Sequence, residues 1–246
     1  ASYKNRNKAA LKNQELNPNV AFSDSIQAGI YMKHPRIIRI KADMVDQMDY
    51  DKILSMYQDR FKDASDFTFI FVGNVDVEKM KPVIAEYLGA LPAVNRKETF
   101  KDNKIEMRQG IYKNEFTKQQ ETPKASVFAF YNGDCKYDLR NNLLLSMTSQ
   151  ILDLVYTEKV REDEGGTYGV YVGGTLQKYP KEKAILQIIF DTAPEKKEKL
   201  MKIIFGEIDN ITKTGPSEAN LNKVKEYMLK KHTEDLKENS YWLGSI

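Results

Sequence analysis

Histidine and cysteine are what this sequence has least of. Its 246 residues hold two His and one Cys. The lone Cys135 excludes an intrachain disulfide and any metal site built from several thiolates. The two histidines, His34 and His232, lie far apart in the sequence, and neither has a second His at helical spacing. The usual palette for metal binding and for His-based catalysis is therefore nearly empty. Phosphate-cradling signatures are missing too. Glycines occur in "EGGTYG" and "VGGTLQKYP", but no G-x-G-x-x-G and no G-x-x-x-x-G-K-[ST] is present, which argues against a nucleotide site. Long apolar runs are absent as well. A run such as "AILQIIF" is too short to span a bilayer, so no membrane span is expected. The opening "ASYKNRNKAALKNQELN" has no apolar signal-peptide core and reads as an excised fragment or a mature chain.

What is present is ordinary globular material: 41% hydrophobic and 30% charged residues, enough for one large domain or two modest ones. The net charge of +3 comes from 38 basic and 35 acidic groups, too balanced for a nucleic-acid binder. Near the C-terminus Lys223, Lys225, Lys230 and Lys231 alternate with Glu218, Glu226 and Glu234, the pattern of a solvated helix face.

Along the chain, Tyr3 to Leu16 has helical composition, and "NPNVAFSDS" is expected to break it. "DMVDQMDYDKILSMYQDRF" carries apolar residues at helical spacing, over two short helices. "FTFIFVGN" reads as a buried strand, and "DVEKMKPVIAEYLGALP" as a helix with Asp76 at its N-cap and Gly89 and Pro92 at its end. The polar, aperiodic "AVNRKETFKDNKIEMRQG" reads as a linker. Beyond it, "GIYKNEF", "ASVFAFYNG", "TYGVYVGGTLQ" and "AILQIIFDT" are expected strands, and three further segments, from Tyr137, Pro194 and Ser217, are expected helices. Two stretches, Phe67–Pro92 and Ala184–Pro216, share one plan of apolar strand, acidic turn, charged helix and terminal Pro. That plan suits either duplication of one α+β unit or a common local motif.

The chemistry concentrates in "VREDEGGTYGVYVGG", Val160 to Gly174. Arg161 lies near a helix end, Gly165 and Gly166 form the turn, and Tyr168 opens a strand. Seven residues across a chain reversal allow both side chains to meet above the turn. A guanidinium can grip a substrate carbonyl or carboxylate, and a phenol can donate to a developing oxyanion. The plainer alternative is an Arg complementing a helix C-terminus and a Tyr packed on a strand. Spacing alone leaves both open.

Three segments carry a resemblance: "YQDRFKDASDFTFIFVGNVDVEKMKPVIAEYLGALP", "VREDEGGTYGVYVGG" and "GPSEANLNKVKEYMLKKHTEDLKENSYWLG". Together they resemble the C-terminal half of pitrilysin/insulysin-type zinc peptidases (inverzincins), particularly bacterial processing-protease-like members. The resemblance covers nearly the whole chain. It implies an α+β fold of repeated domains, each a mostly antiparallel sheet packed against helices, and two halves closing as a clamshell. Residues 1–91 would finish one α+β domain, 92–104 would be a linker, and 105–246 would form the C-terminal domain, truncated at its own C-terminus. Peptides or small proteins are the implied substrates. Arg161 and Tyr168 would act on them at the active site, with Gly165 and Gly166 shaping the approach.

The family's H-x-x-E-H zinc motif has no counterpart here. Zinc would therefore belong to an N-terminal half, fused or supplied by a partner subunit, and this chain alone would be inactive. A non-catalytic peptide-binding or scaffold subunit is the alternative. The resemblance points to the periplasm, with the cytoplasm as alternative.

Overall fold

The structure, a computed structural model, describes residues 2–162 and 169–246, with Arg161 and Glu162 described by their backbone alone. It divides into two compact units. The first comprises residues 1–106 and 232–246, the second residues 107–231.

In the second unit the sequence pattern becomes a sheet with helices on one face. Strand β1 (Ala125–Asp134) is followed by helix α5 (Leu139–Tyr156, the fifth helix in chain order), then β2 (Val170–Gln177), β3 (Lys183–Thr192), α6 (Lys197–Thr214) and α7 (Glu218–Asp235), whose last residues fall in the first unit. The strand order is β1-β3-β2, with both pairings antiparallel. Alternation decides the faces. Val127, Ala129, Val170, Val172, Leu186, Ile188 and Phe190 pack toward Leu152 and Tyr156 of α5 and Leu200 and Ile204 of α6. The opposite face carries Phe128, Phe130, Tyr171 and Ile189 in register, all at least partly exposed. Helix α5 is used on two sides, because Ile151 and Val155 turn away from the sheet and pack on Val224 of α7.

The first unit is mainly helical. It runs through α1 (Ser2–Glu15), α2 (Pro18–Ile30), a 3-10 turn (Ala42–Gln47), α3 (Tyr50–Phe61) and α4 (Val77–Tyr87), and regains the chain at α8 (Asn239–Ser245). The expected break at "NPNVAFSDS" narrows to a single joint. Asn17 caps α2 by accepting from the Asn19 N–H, and Pro18 takes the first helical position, where its missing N–H costs nothing. Asp76 caps α4 through the Lys79 N–H, as the sequence suggests. Buried Asp63 is the fixed point of this unit. Its carboxylate accepts from the Ser65 hydroxyl and the backbone N–H groups of Ser65, Val94 and Arg96, tying the chain beyond Pro92 to the end of α3.

Two expected strands do not form. "GIYKNEF" has no ladder; side chains fasten its neighbourhood instead, with Asn132 Nδ2 donating to the Arg108 carbonyl and Lys197 pairing with Glu115 at 2.5 Å. "FTFIFVGN" is also without strand pairing. Apolar, β-branched composition favours a strand, but a strand exists only where a neighbouring backbone completes the ladder. Among the described residues none does so for Thr68–Val72.

Candidate substrate-binding site

The candidate segment is framed by two well-anchored elements. Helix α5 starts at Asp138, whose side chain accepts from the Asn141 N–H at 2.8 Å. At its other end the backbone widens into a π turn, Thr157–Glu162. Such turns are uncommon and recur at functional sites. Three contacts hold this one in place: fully buried Val160 in the core, Lys159 Nζ paired with Glu207 at 2.6 Å, and the Tyr156 hydroxyl donating to the Ile204 carbonyl at 3.0 Å. Arg161 follows Val160 directly, so its backbone leaves from a fixed base. Its side chain, and the expected Gly165, Gly166 and Tyr168, lie outside the described residues. The described residues continue from Gly169, and β2 starts at Val170, already buried.

Residues not singled out by sequence reasoning define the surroundings. Gly174 is one. A Cβ there would come within 2.9 Å of Leu145 Cγ and 3.1 Å of the Leu145 carbonyl, and would collide with Ser149 Oγ. Only glycine lets α5 lie this close to β2. The signal was a Gly-Gly pair inside an otherwise regular strand pattern. Gly173, on the opposite face, leaves room for its neighbours: a Cβ there would meet the Tyr171 hydroxyl at 2.9 Å and Gln187 Nε2 at 3.1 Å. Tyr171 remains exposed on this face, beside the Phe128–Phe130 stack across β3.

The titrating groups nearby are structural. Burial, with smaller contributions from Tyr131 and Glu207, pushes the Tyr156 phenol far above its ordinary value, so it acts as a neutral donor. Tyr131 is raised by burial and then by Asp209. Neither is poised for proton transfer near neutral pH.

The described residues offer no group of three or more His, Cys, Asp or Glu able to hold a metal ion. His34 Nδ1 accepts from the Arg36 N–H in a turn, and exposed His232 lies against Tyr241 with their rings near edge-on. A zinc ion does not fit this donor set, because a catalytic site needs three protein ligands converging on one point. No described helix is long and apolar enough to cross a membrane.

The chain belongs to the family described as the peptidase M16 inactive domain, whose profile matches residues 47–228. Among individual proteins, it is 22% identical over 250 residues to a PQQL-like zinc protease of Arabidopsis thaliana. That match takes in 96% of this chain and 26% of the relative. The fold is similar to that of the periplasmic protease PqqL of Escherichia coli, with a TM-score of 0.79, 20% identity, and coverage of 98% of this chain and 26% of that one. It is also similar to a peptidase M16 inactive domain from Pseudomonas fluorescens, with a TM-score of 0.70, 19% identity, and coverage of 99% and 58%. The chain thus spans about a quarter of the length of the curated relative it matches.

Proposed function

We propose that this chain is the substrate-binding, C-terminal half of a zinc-dependent endopeptidase acting on peptides or small proteins. The family match across most of the chain carries the reading. The anchored turn whose backbone includes Arg161 supports it. Metal chemistry is assigned to an N-terminal half, fused or separate, and this chain alone is inactive. Its own contribution is a pair of donors. The Tyr168 phenol donates a hydrogen bond to the oxygen of the scissile carbonyl as that carbon becomes tetrahedral, and Arg161 holds the substrate backbone with its planar fork. Gly165 and Gly166 give the turn the freedom to bring both toward the peptide. The periplasm is the proposed compartment, in line with the location named for the E. coli protease.

Kinetics on the complete enzyme with a fluorogenic peptide test the reading. Tyr168→Phe lowers kcat by roughly a hundred- to thousandfold, on the order of 3–4 kcal/mol, with little change in KM, because the lost bond exists only in the transition state. Arg161→Ala raises KM as well, and Lys restores little because it lacks the fork. Wild-type kcat in a folded Tyr168→Phe protein would remove the phenol from the mechanism. The rival reading is a non-catalytic peptide-binding or scaffold subunit, which the description of the matched family as an inactive domain favours. An H-x-x-E-H segment in the same reading frame or a partner gene decides for the peptidase, and its absence from both decides for the scaffold.

A further inference from the structure

Helix α6 carries one residue that its own pattern does not call for. Leu200, Ile204, Ile208 and Ile211 belong to the apolar stripe that joins the sheet core. Glu207 lies at helical spacing from both Ile204 and Ile211, inside that stripe, and its side chain is only 16% exposed. A carboxylate drawn out of water is costly unless a partner meets it. The partner is Lys159 Nζ, 2.6 Å away in the π turn.

That turn needs holding. Geometry of this type is rare, so an isolated turn of it depends on contacts from outside. The change begins at Thr157, whose N–H is shared between the Asp153 and Leu154 carbonyls. Helix α6 then grips the segment at two places a helical turn apart. The Ile204 carbonyl accepts from the Tyr156 hydroxyl at 3.0 Å, and Glu207 takes Lys159. The two grips differ in kind. Tyr156 is fully buried and belongs to the core, whereas the Lys159 side chain is 44% exposed, so the ion pair can be removed without opening the core. Arg161 follows Lys159 within the same turn.

We propose that Glu207 is a positioning residue: by holding Lys159 it fixes the backbone of the π turn, and with it the point from which Arg161 reaches a peptide. The inference rests on the role proposed above for Arg161. Glu207 touches no substrate, and its effect passes through the turn. Without the pair, Thr157–Glu162 is free to relax into the α register of α5. A shift of one residue turns each Cα by about 100° around the helix axis, which carries Arg161 away from its working place.

Kinetics on the complete enzyme with a fluorogenic peptide, beside hydrogen exchange of the Thr157–Glu162 N–H groups, test the proposal. Glu207→Lys sets two cations side by side and is expected to speed that exchange by roughly tenfold or more. KM should rise by roughly threefold to tenfold with a smaller fall in kcat, while the melting temperature changes little. Swapping the pair, Lys159→Glu with Glu207→Lys, should return exchange and KM toward wild type. In an Arg161→Ala background Glu207→Lys should raise KM no further, because both changes act through one contact. Should Glu207→Lys fail to fold, Glu207→Gln keeps the shape, loses the charge and is read in the same way. Unchanged exchange in a folded variant overturns the proposal, as does a KM that rises equally with and without Arg161. An Arg161→Ala effect on KM with none from Glu207→Lys removes Glu207 alone. Unchanged KM in Arg161→Ala itself removes the role of Arg161, and the positioning with it.

Discussion

Ile188 and Ile70 occupy comparable places in the same sequence plan, yet Ile188 is fully buried and Ile70 is 44% exposed. The local sequence around each is equally strand-like. What differs is the company. Ile188 lies between Ala129 and Val172 on paired strands and under the helix residues Leu152 and Ile204. Ile70 has no strand beside it among the described residues. A strand is thus a property of a pair of segments rather than of one, because its backbone polar groups need partners that the strand cannot supply itself. The second unit is closed around its core, and the first is held by polar clamps, at Asp63 and where the Arg39 guanidinium donates to both oxygens of Asp24 at 3.0 Å, more than by burial.

That contrast can be broken by substitution. In the 246-residue chain Ile188→Ala is expected to cost about 2–5 kcal/mol, as for other fully buried aliphatic truncations, measured by denaturant unfolding of the second unit. A cost near zero would mean this core is no better packed than the first unit. Gly174→Ala should follow at about 1–3 kcal/mol, since the new methyl is driven into Leu145 and Ser149, and α5 must move off β2. Near-UV circular dichroism of that variant reads the displacement through Tyr156.

Asp63→Asn should have a smaller effect, confined to the first unit, and it carries a pH signature. Hydrogen bonds from Ser65, then from the N–H groups of Arg96 and Val94, hold the Asp63 carboxyl well below the usual carboxylate range against the opposing effect of burial. Its folded value is below its unfolded one. The stability it lends is therefore complete above the ordinary carboxylate range and is lost as pH falls through that range toward the folded value. The Asn variant should show less of this acid loss, read from melting temperature between neutral pH and pH of about 3. An unchanged acid profile would exclude Asp63 as the clamp. The smallest effect belongs to Ile70→Ala, expected within about 0.5 kcal/mol in the 246-residue chain, as for an ordinary exposed site. A loss comparable to that of Ile188→Ala would erase the distinction between the two units.

Much was legible without coordinates. The helix cap at Asp76 follows from local chemistry, a carboxylate reaching the first free N–H groups. The strand at "AILQIIFDT" and the helix after Tyr137 were expected from composition and spacing, and both form, as β3 and α5. The absence of an H-x-x-E-H segment was equally a matter of reading residues, since that spacing of two histidines does not occur in the sequence. Tertiary structure alone decided that "AILQIIFDT" is central in its sheet while "FTFIFVGN" has no strand partner among the described residues, and that Gly174 is a contact point between helix and sheet rather than a turn residue. It also decided that α5 ends in a π turn anchored through Val160, Lys159 and Tyr156 to α6. Each of these depends on which distant segment arrives alongside, and pairing between distant segments leaves no periodic trace in the local sequence of either one.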